Sequence, residues 1–272
     1  MDKSTRRGFA LVGPGRAGTA VAARLVAVGY RAHVVAGRPG SPSTGPAAAR
    51  LGAAVVAAGE AGRDVGLVVV ATPDRSIEEV AASLAPSVGP GALVVHLAGA
   101  RGLDALTPLA ARRPDVVVGA LHPLQTLTGF DGDALDGAWA AVAGPPAVRH
   151  LARELGLAPF PIADDQRAAY HAAAAVASNH LVALLGQAER LADAAGVPLA
   201  AFEPLVRATV DHVFRDGPAG ALTGPVARGD VATVHRHLDA IDDEERRAYL
   251  ALADAARRLA GRDEEPLREV LA

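Results

Sequence analysis

The sequence has no cysteine, and aromatic residues make up only 3% of its 272 residues. The absence of cysteine excludes disulfides, thiolate metal ligands and cysteine nucleophiles. Because aromatic residues are scarce, the core must be built mainly from Val, Leu and Ala, and Ala-rich helices can approach one another closely. The length is sufficient for a well-buried core and suggests one large or two modest domains.

Two kinds of charge are also scarce. Lys3 is the only lysine, and no acidic residue lies between Asp2 and Glu60, so residues 1–59 carry eight Lys or Arg against one acid. The formal net charge of the whole chain is only −3, which argues against nucleic acid or a membrane surface as a partner held by bulk charge. No uninterrupted apolar run reaches about 18 residues, so we expect no membrane span and a cytoplasmic protein.

An apolar strand, a glycine-rich turn and an Ala-rich helix follow one another in residues 8–25, GFALVGPGRAGTAVAARL. Gly13, Gly15 and Gly18 form G-x-G-x-x-G: the first permits the tight turn, the second lets the backbone approach a pyrophosphate, and the third allows close helix–strand packing. The N-terminus of the helix attracts anions. The segment therefore predicts a dinucleotide site, which also includes the intervening Pro14, Arg16 and Ala17.

Arg38 follows the second predicted strand, residues 31–36, and stands 20 residues beyond Gly18. NAD-binding proteins commonly place an acidic residue there for the ribose 2′-OH, whereas an Arg accommodates the 2′-phosphate of NADP. Ser41, Ser43 and Thr44 add hydroxyl donors. A solvated arginine in a turn is the alternative, but the acid-free region favours NADP (NADPH) as the cofactor.

Further apolar runs at residues 65–71, 92–97 and 116–121 alternate with helical stretches near 77–84 and 103–111. This alternation predicts an α/β fold with a Rossmann-like, doubly wound parallel sheet, closed by short strands near 138–143 and 159–163. Ligands bind beyond the carboxyl ends of such strands. The candidate residues there are Thr72, Pro73, Asp74, His96, Ala98 and His122, although a lone histidine at a strand end is more often structural.

The sequence becomes helical at Asp164, so we predict a dinucleotide-binding domain over residues 1–163 and an all-helical substrate and dimerisation domain over 164–272. Its first long helix carries His171 and Asn179 at i and i+8, on one face. Such polar groups must be hydrogen-bonded or face a cleft, and a polar helix interface is the alternative. Asp230 is predicted to cap a later helix, and no metal site is predicted.

Several motifs together resemble a bacterial family that joins a Rossmann-like NAD(P)-binding domain to a C-terminal domain of unknown function. The motifs are GPGRAG, HLAGA at His96, HPLQT at His122, HAAAAVASNH at His171 and LTGPVARGD at Leu222. The family is distantly related to ketopantoate reductase, pyrroline-5-carboxylate reductase and the β-hydroxyacid dehydrogenases. The resemblance implies an NADP-linked oxidoreductase with a helical domain that dimerises.

The sequence departs from these relatives at two positions. Ala98 stands where a Ser commonly precedes Gly99, so this position supplies no hydroxyl. Ketopantoate reductases and β-hydroxyacid dehydrogenases place a catalytic Lys four residues before a helix Asn, and Ala175 is the equivalent here. A proton donor would therefore have to be His, Tyr or a carboxyl group.

These observations predict an NADP-dependent reductase of a small carbonyl or imine compound, acting between the domains as a homodimer. His171, one turn before the position of the lysine, is the first candidate for the proton donor; His122 is the second, and Asn179 would orient the substrate oxygen. The alternative is a protein that binds NADP without turnover, as a sensor or partner, because a fold alone does not establish a function.

Overall fold

The computed structural model describes residues 7–271; residues 1–6, which include Lys3 and the start of the predicted first domain, and Ala272 lie outside them. The chain divides into two compact units, Met1–Ser178 and Asn179–Ala272. The predicted domain boundary between residues 163 and 164 falls where the last strand gives way to helix, and as a domain boundary it stays a prediction.

The first unit contains an eight-stranded sheet in the order β3-β2-β1-β4-β5-β6-β7-β8. Its first six strands have the order 3-2-1-4-5-6 of the Rossmann fold, which confirms the predicted fold class. The strands are β1 (Gly8–Val12), β2 (Arg31–Ala36), β3 (Ala54–Val56), β4 (Leu67–Val70), β5 (Leu93–His96), β6 (Val117–Leu124), β7 (Trp139–Ala143) and β8 (Ala158–Pro161).

Helices cover both faces of this sheet, because its central strands are apolar on both sides. One core contains Leu25 and Leu151, and the other contains Ile77, Leu84 and Leu109. The helices of this unit are α1 (Arg16–Ala27), α2 (Thr44–Leu51), α3 (Ile77–Leu84), α4 (Thr107–Ala110), α5 (Pro146–Glu154) and α6 (Arg167–Ala175).

The sheet is parallel, as predicted, except that strand β7 runs antiparallel to β6. The chain between them contains only one short 3₁₀ turn, Gly132–Leu135, and without a crossover helix it doubles back. Pairing with β7 extends β6 to Leu124, beyond Ala120, where its pairing with β5 ends. His122 therefore lies inside β6, opposite Ala141. The prediction had placed it at the end of the strand.

The second unit is all-helical, as predicted. Its helices are α7 (Leu181–Ala194), α8 (Glu203–Ala221), α9 (Pro225–Arg228), α10 (Val231–Ala240), α11 (Asp243–Leu259) and α12 (Glu265–Val270). A small core forms around Val234 and Leu267. The predicted cap of α10 is confirmed, because the Asp230 carboxylate accepts a hydrogen bond from the Thr233 N–H at 3.0 Å. Helix α8 is kinked at Gly217, where φ is +77°.

A π-helical turn, Val176–His180, connects α6 to α7. The predicted i, i+4, i+8 face of His171, Ala175 and Asn179 assumed a continuous α-helix. A π turn bonds residues i and i+5 and so holds an additional residue, which changes the angular position of the side chains that follow it. The α-helical spacing therefore does not hold at Asn179.

Candidate active site

The turn between β1 and α1 needs two of its glycines for steric reasons. Gly13 has φ +94°, and a Cβ there would lie 2.7 Å from backbone atoms of Ala71 and Thr72. A Cβ on Gly18 would lie 2.5 Å from the carbonyl oxygen of Gly13. The first glycine thus permits the turn and the third permits close packing, the roles that the sequence pattern predicts.

Gly15 differs, because a Cβ there would meet no atom within 4 Å. It precedes α1 with extended backbone (φ −81°, ψ −173°), and no side chain caps the helix. The Thr19 hydroxyl donates backward to the Gly15 carbonyl at 2.8 Å and does not occupy the helix N-terminus. The turn therefore presents open space beside free helix N–H groups, the arrangement that receives a phosphate.

A second candidate anion site follows β2. A Cβ on Gly37 would collide with the Thr44 hydroxyl, so this glycine leaves room for that hydroxyl at the start of α2. The Thr44 hydroxyl oxygen is buried and has no hydrogen-bond partner. Arg38 is exposed, and the hydroxyls of Ser41 and Ser43 lie 3.1 Å apart. One guanidinium and three hydroxyl groups are thus gathered at one turn, which suits a phosphate.

The segment after β4 lies between the turns that follow β1 and β5, because these strands are neighbours in the sheet. The Thr72 hydroxyl oxygen is buried without a partner, whereas Pro73 and Asp74 are exposed and begin a short 3₁₀ turn. The topology therefore places these three predicted cofactor contacts at the expected edge. Their contact with a cofactor stays a prediction.

His96 at the end of β5 is fully buried, with 0% of its surface exposed. Its Nε2 lies 2.9 Å from the Gly102 carbonyl oxygen, and its Nδ1 accepts a hydrogen bond from the Ala98 N–H at 3.2 Å. Burial lowers the pKa of His96 below its usual value. Both ring nitrogens thus hold the shape of the loop after β5, and direct cofactor contacts of His96 and Ala98 stay predictions.

Three polar side chains come together where β6 meets α6. The His122 Nδ1 lies 2.7 Å from the Tyr170 hydroxyl, and the rings of His122 and His171 are 5.8 Å apart. Gly99 faces the two histidines so closely that any side chain at that position would collide with them. The structure therefore brings both predicted histidines together. We call His122, Tyr170 and His171 the polar cluster.

Sequence reasoning did not identify Tyr170, although the motif HAAAAVASNH begins at the next residue, His171. Tyr170 precedes His171 directly, and its ring packs edge-on against Phe160 at 5.8 Å between centroids. Phe160 in turn lies 6.1 Å from Trp139, the only tryptophan, which is 58% exposed. Nothing in the helical periodicity could have selected Tyr170, because its partner His122 is distant in sequence.

Burial is the main influence on proton binding in the polar cluster. It lowers the pKa of His122 to about 4, and electrostatic repulsion from neighbouring groups, of which Arg167 is one, acts in the same direction. Burial also raises the pKa of Tyr170, against a smaller opposing effect of Arg167. At neutral pH, His122 is therefore a neutral imidazole and Tyr170 a neutral phenol joined by one hydrogen bond.

We predict that His122 makes stability depend on pH. Its pKa falls from the usual 6.5 to about 4 on folding, so the unfolded chain binds more protons between these values. Its contribution is fully present above pH 6.5 and is lost as pH falls toward 4, by up to about 3 kcal/mol. Urea denaturation at pH 7 and pH 5 should show a smaller loss for His122→Gln than for the wild type. Equal losses in the two proteins would contradict this assignment.

Asn179, the third predicted catalytic residue, is exposed and belongs to the second unit. Its predicted role in orienting a substrate oxygen stays a prediction.

Comparison with known proteins gives two family matches. Residues 2–123 match the Rossmann-like domain family, and residues 140–256 match the domain of unknown function DUF2520. No curated protein matches the chain.

Solved structures share the fold over nearly the whole chain. One is a proposed NADP oxidoreductase from Bacteroides fragilis, 21% identical, with a TM-score of 0.80 over 94% of this chain and 100% of that one. Another is a protein from Thermotoga maritima, 25% identical, with a TM-score of 0.65 over 97% and 98%.

A third is an imine reductase from Myxococcus stipitatus in complex with NADP+, 20% identical, with a TM-score of 0.62 over 97% and 100%. The resemblance predicted from the motifs is confirmed, because a match to a Rossmann-like domain is followed in this chain by a match to a DUF2520 domain.

Proposed function

We propose that the protein is an NADP-dependent oxidoreductase that reduces a small carbonyl or imine compound. The observation that carries this proposal is the polar cluster, which stands at the same edge of the sheet as the dinucleotide turn. Hydride chemistry needs a cofactor site and, beside it, a group that can deliver a proton. The fold similarity to imine reductases supports the same reaction class.

The residues of the first unit suit NADPH, which supplies a hydride when it is bound. The open backbone at Gly15 and the free N–H groups of α1 would hold the pyrophosphate. Arg38 and the unpartnered hydroxyl of Thr44 would hold the 2′-phosphate. The unpartnered Thr72 hydroxyl provides a further polar group after β4.

We assign the proton donor to His171. His122 is almost wholly neutral at neutral pH, since its pKa is about 4, and it is therefore a poor acid. The Tyr170 hydroxyl and His122 orient each other through their 2.7 Å hydrogen bond, which keeps this side of the site polar and fixed. Residues 7–271 contain no lysine, and Ala175 stands where the resemblance places the relatives' lysine. That the substrate lies between the domains stays a prediction.

Arg38 should determine the choice of cofactor. NADPH is expected to bind more tightly than NADH, and Arg38→Ala should remove most of that difference, about 1 to 3 kcal/mol for a charge-assisted contact. Titration of both nucleotides against wild type and variant measures the effect. Exposed Arg63, which lies outside this turn, gives the matched control Arg63→Ala, which should keep the preference. Equal affinity of the wild type for the two nucleotides would contradict the proposal.

We propose that the helical unit forms a two-fold dimer. Phe214 on α8 is 88% exposed and Val182 on α7 is 70% exposed. A groove of about 670 Å³ between these helices is lined by Leu185, Phe202 and Val206 among others. Exposed apolar side chains of this kind suit association with another protein surface, and a second copy supplies a matching one.

Val182 and Leu185 of this apolar surface belong to a longer helical stretch, Asp164–Ala194. The most apolar window of this stretch has a mean hydropathy of 1.2 and contains no buried residue. By length and composition alone, the stretch could also cross a membrane. The cytoplasmic location stays a prediction.

Light scattering at micromolar concentration without detergent should give a dimer, and Phe214→Glu should shift the protein toward monomer. A wild-type monomer would contradict the dimer.

One experiment distinguishes the reductase from the alternative function, NADP binding without turnover. Purified protein is mixed with NADPH and a panel of 2-keto acids and cyclic imines, and oxidation is followed by absorbance. Turnover of any member that requires His171 supports the reductase. Tight NADPH binding with no turnover across the panel would favour the sensor.

A further inference from the structure

Arg167 is the one Lys or Arg side chain among residues 7–271 that the structure encloses completely, with 0% of its surface exposed. Both terminal nitrogens, Nη1 and Nη2, lack a hydrogen-bond partner. Its ion pair with Asp164 joins Nε to Oδ1 at 3.4 Å, and that carboxylate is itself half exposed. The two outer ends of the guanidinium fork are therefore unsatisfied.

This environment is unfavourable for a cation in two ways. A guanidinium stays charged at all ordinary pH values, and burying a charge without full compensation is costly. Arg167 is also the first residue of α6, where the helix dipole already places positive charge. The half-exposed Asp164 carboxylate compensates only at Nε, so no negative group within residues 7–271 faces Nη1 and Nη2.

The position of Arg167 relates it to the polar cluster. Arg167, Tyr170 and His171 stand at i, i+3 and i+4 of one helix and so lie on one face. Tyr170 on that face contacts His122. The Asp164 carboxylate accepts a hydrogen bond from the Leu103 N–H at 3.1 Å, which ties the start of α6 to the loop after β5. Besides the effect of burial, the Arg167 charge is close enough to lower the pKa of His122 and to oppose the rise in the pKa of Tyr170, so the guanidinium lies near the proposed site of reduction.

We infer that Arg167 binds a carboxylate of the substrate through Nη1 and Nη2, so that the substrates are anionic: 2-keto acids or cyclic imino acids. This inference rests on the proposed function. A planar guanidinium matches a carboxylate in a bidentate pair, and Arg38 and the turn at Gly15 already account for the phosphates of the cofactor. Because Arg167 is fully enclosed, entry of the carboxylate is coupled to a shift of the surrounding segments.

The first test measures binding and not turnover. Oxalate is titrated calorimetrically into the protein saturated with NADP+. The wild type should bind oxalate, and Arg167→Gln should weaken binding about 10- to 100-fold, the loss of a charge-assisted pair. Arg101 is the matched control, because its guanidinium is already paired with Glu78 and Asp104. Arg101→Gln should leave oxalate affinity unchanged.

The second test compares 1-piperideine-2-carboxylate with 1-piperideine, which share a ring and differ in the carboxylate. The wild type should favour the first in kcat/KM, and Arg167→Gln should reduce that preference about 10- to 100-fold. If Arg167→Gln fails to fold, Arg167→Lys replaces it, because lysine keeps the positive charge but lacks the planar guanidinium. Arg167→Lys should show a smaller loss of the preference for the carboxylate substrate. Unchanged oxalate affinity and an unchanged preference in the folded variant would overturn the inference and leave Arg167 a structural residue.

The two proposals fail in different ways. A wild type that binds NADPH and oxalate but reduces nothing contradicts the reductase and retains the anion site. A wild type that reduces uncharged 1-piperideine as well as its carboxylate, and binds no oxalate, retains the reductase and overturns the anion site.

Discussion

The His171→Ala variant is expected to turn over its substrate at least about 100-fold more slowly than the wild type, with almost unchanged affinity for NADPH. A positioned general acid contributes about 10² to 10⁴ in rate, and histidine can deliver a proton near neutral pH. His171 stands in the polar cluster and not at the dinucleotide turn, so the effect should fall on kcat. Steady-state kinetics and NADPH titration measure the two quantities.

His150→Ala is the matched control, because His150 lies exposed on α5 and outside the polar cluster. It should leave kcat unchanged. If turnover survives His171→Ala and collapses in His122→Ala, the roles of the two histidines are reversed. If it survives both changes, acid catalysis by histidine is the wrong mechanism, and Tyr170→Phe then tests the remaining hydroxyl.

The Gly15→Val variant is expected to fold normally and to bind NADPH at least about 100-fold more weakly, a loss of roughly 2.7 kcal/mol. A side chain at this position meets no atom of the protein, and its backbone conformation is open to any residue. It would occupy the space that the pyrophosphate needs. Nucleotide titration and thermal unfolding separate binding from stability.

Valine substitutions at two further glycines serve as controls for that experiment. Gly89 also has no atom within 4 Å of an added Cβ, and it lies before β5, at the other edge of the sheet. Gly89→Val should keep both stability and binding. Gly18→Val should lose stability itself, because its Cβ would strike the backbone of Gly13. If Gly15→Val binds NADPH as well as the wild type does, the pyrophosphate lies elsewhere.

Much of the fold could be predicted because local patterns determine it. The apolar run of residues 31–36 is β2 with the same bounds, and the stretch at 77–84 is α3. What failed depended on distant partners: β6 extends past residue 121 only because β7 pairs with it. The π turn at Val176–His180 likewise could not be located, because residues 167–185 contain no Gly or Pro to mark a break in the helix.

The candidate site divides in the same way. Gly13, Gly15 and Gly18 could be assigned separate roles, because the spacing G-x-G-x-x-G itself carries those roles. The pairing of His122 with Tyr170 could not, because the two residues meet only in the folded sheet and helix. The unsatisfied guanidinium of Arg167 was equally hidden, since a sequence shows a charge but not its enclosure.

The chain of rings from Trp139 through Phe160 to Tyr170 has a practical consequence. Trp139 is the sole indole of the protein, so all tryptophan emission comes from one known place on β7. That emission overlaps the absorption of reduced nicotinamide, and energy transfer between them decreases steeply with distance. The emission of Trp139 in the unlabelled protein therefore reports its distance from a bound reduced nicotinamide. Trp139→Phe removes this signal without adding charge.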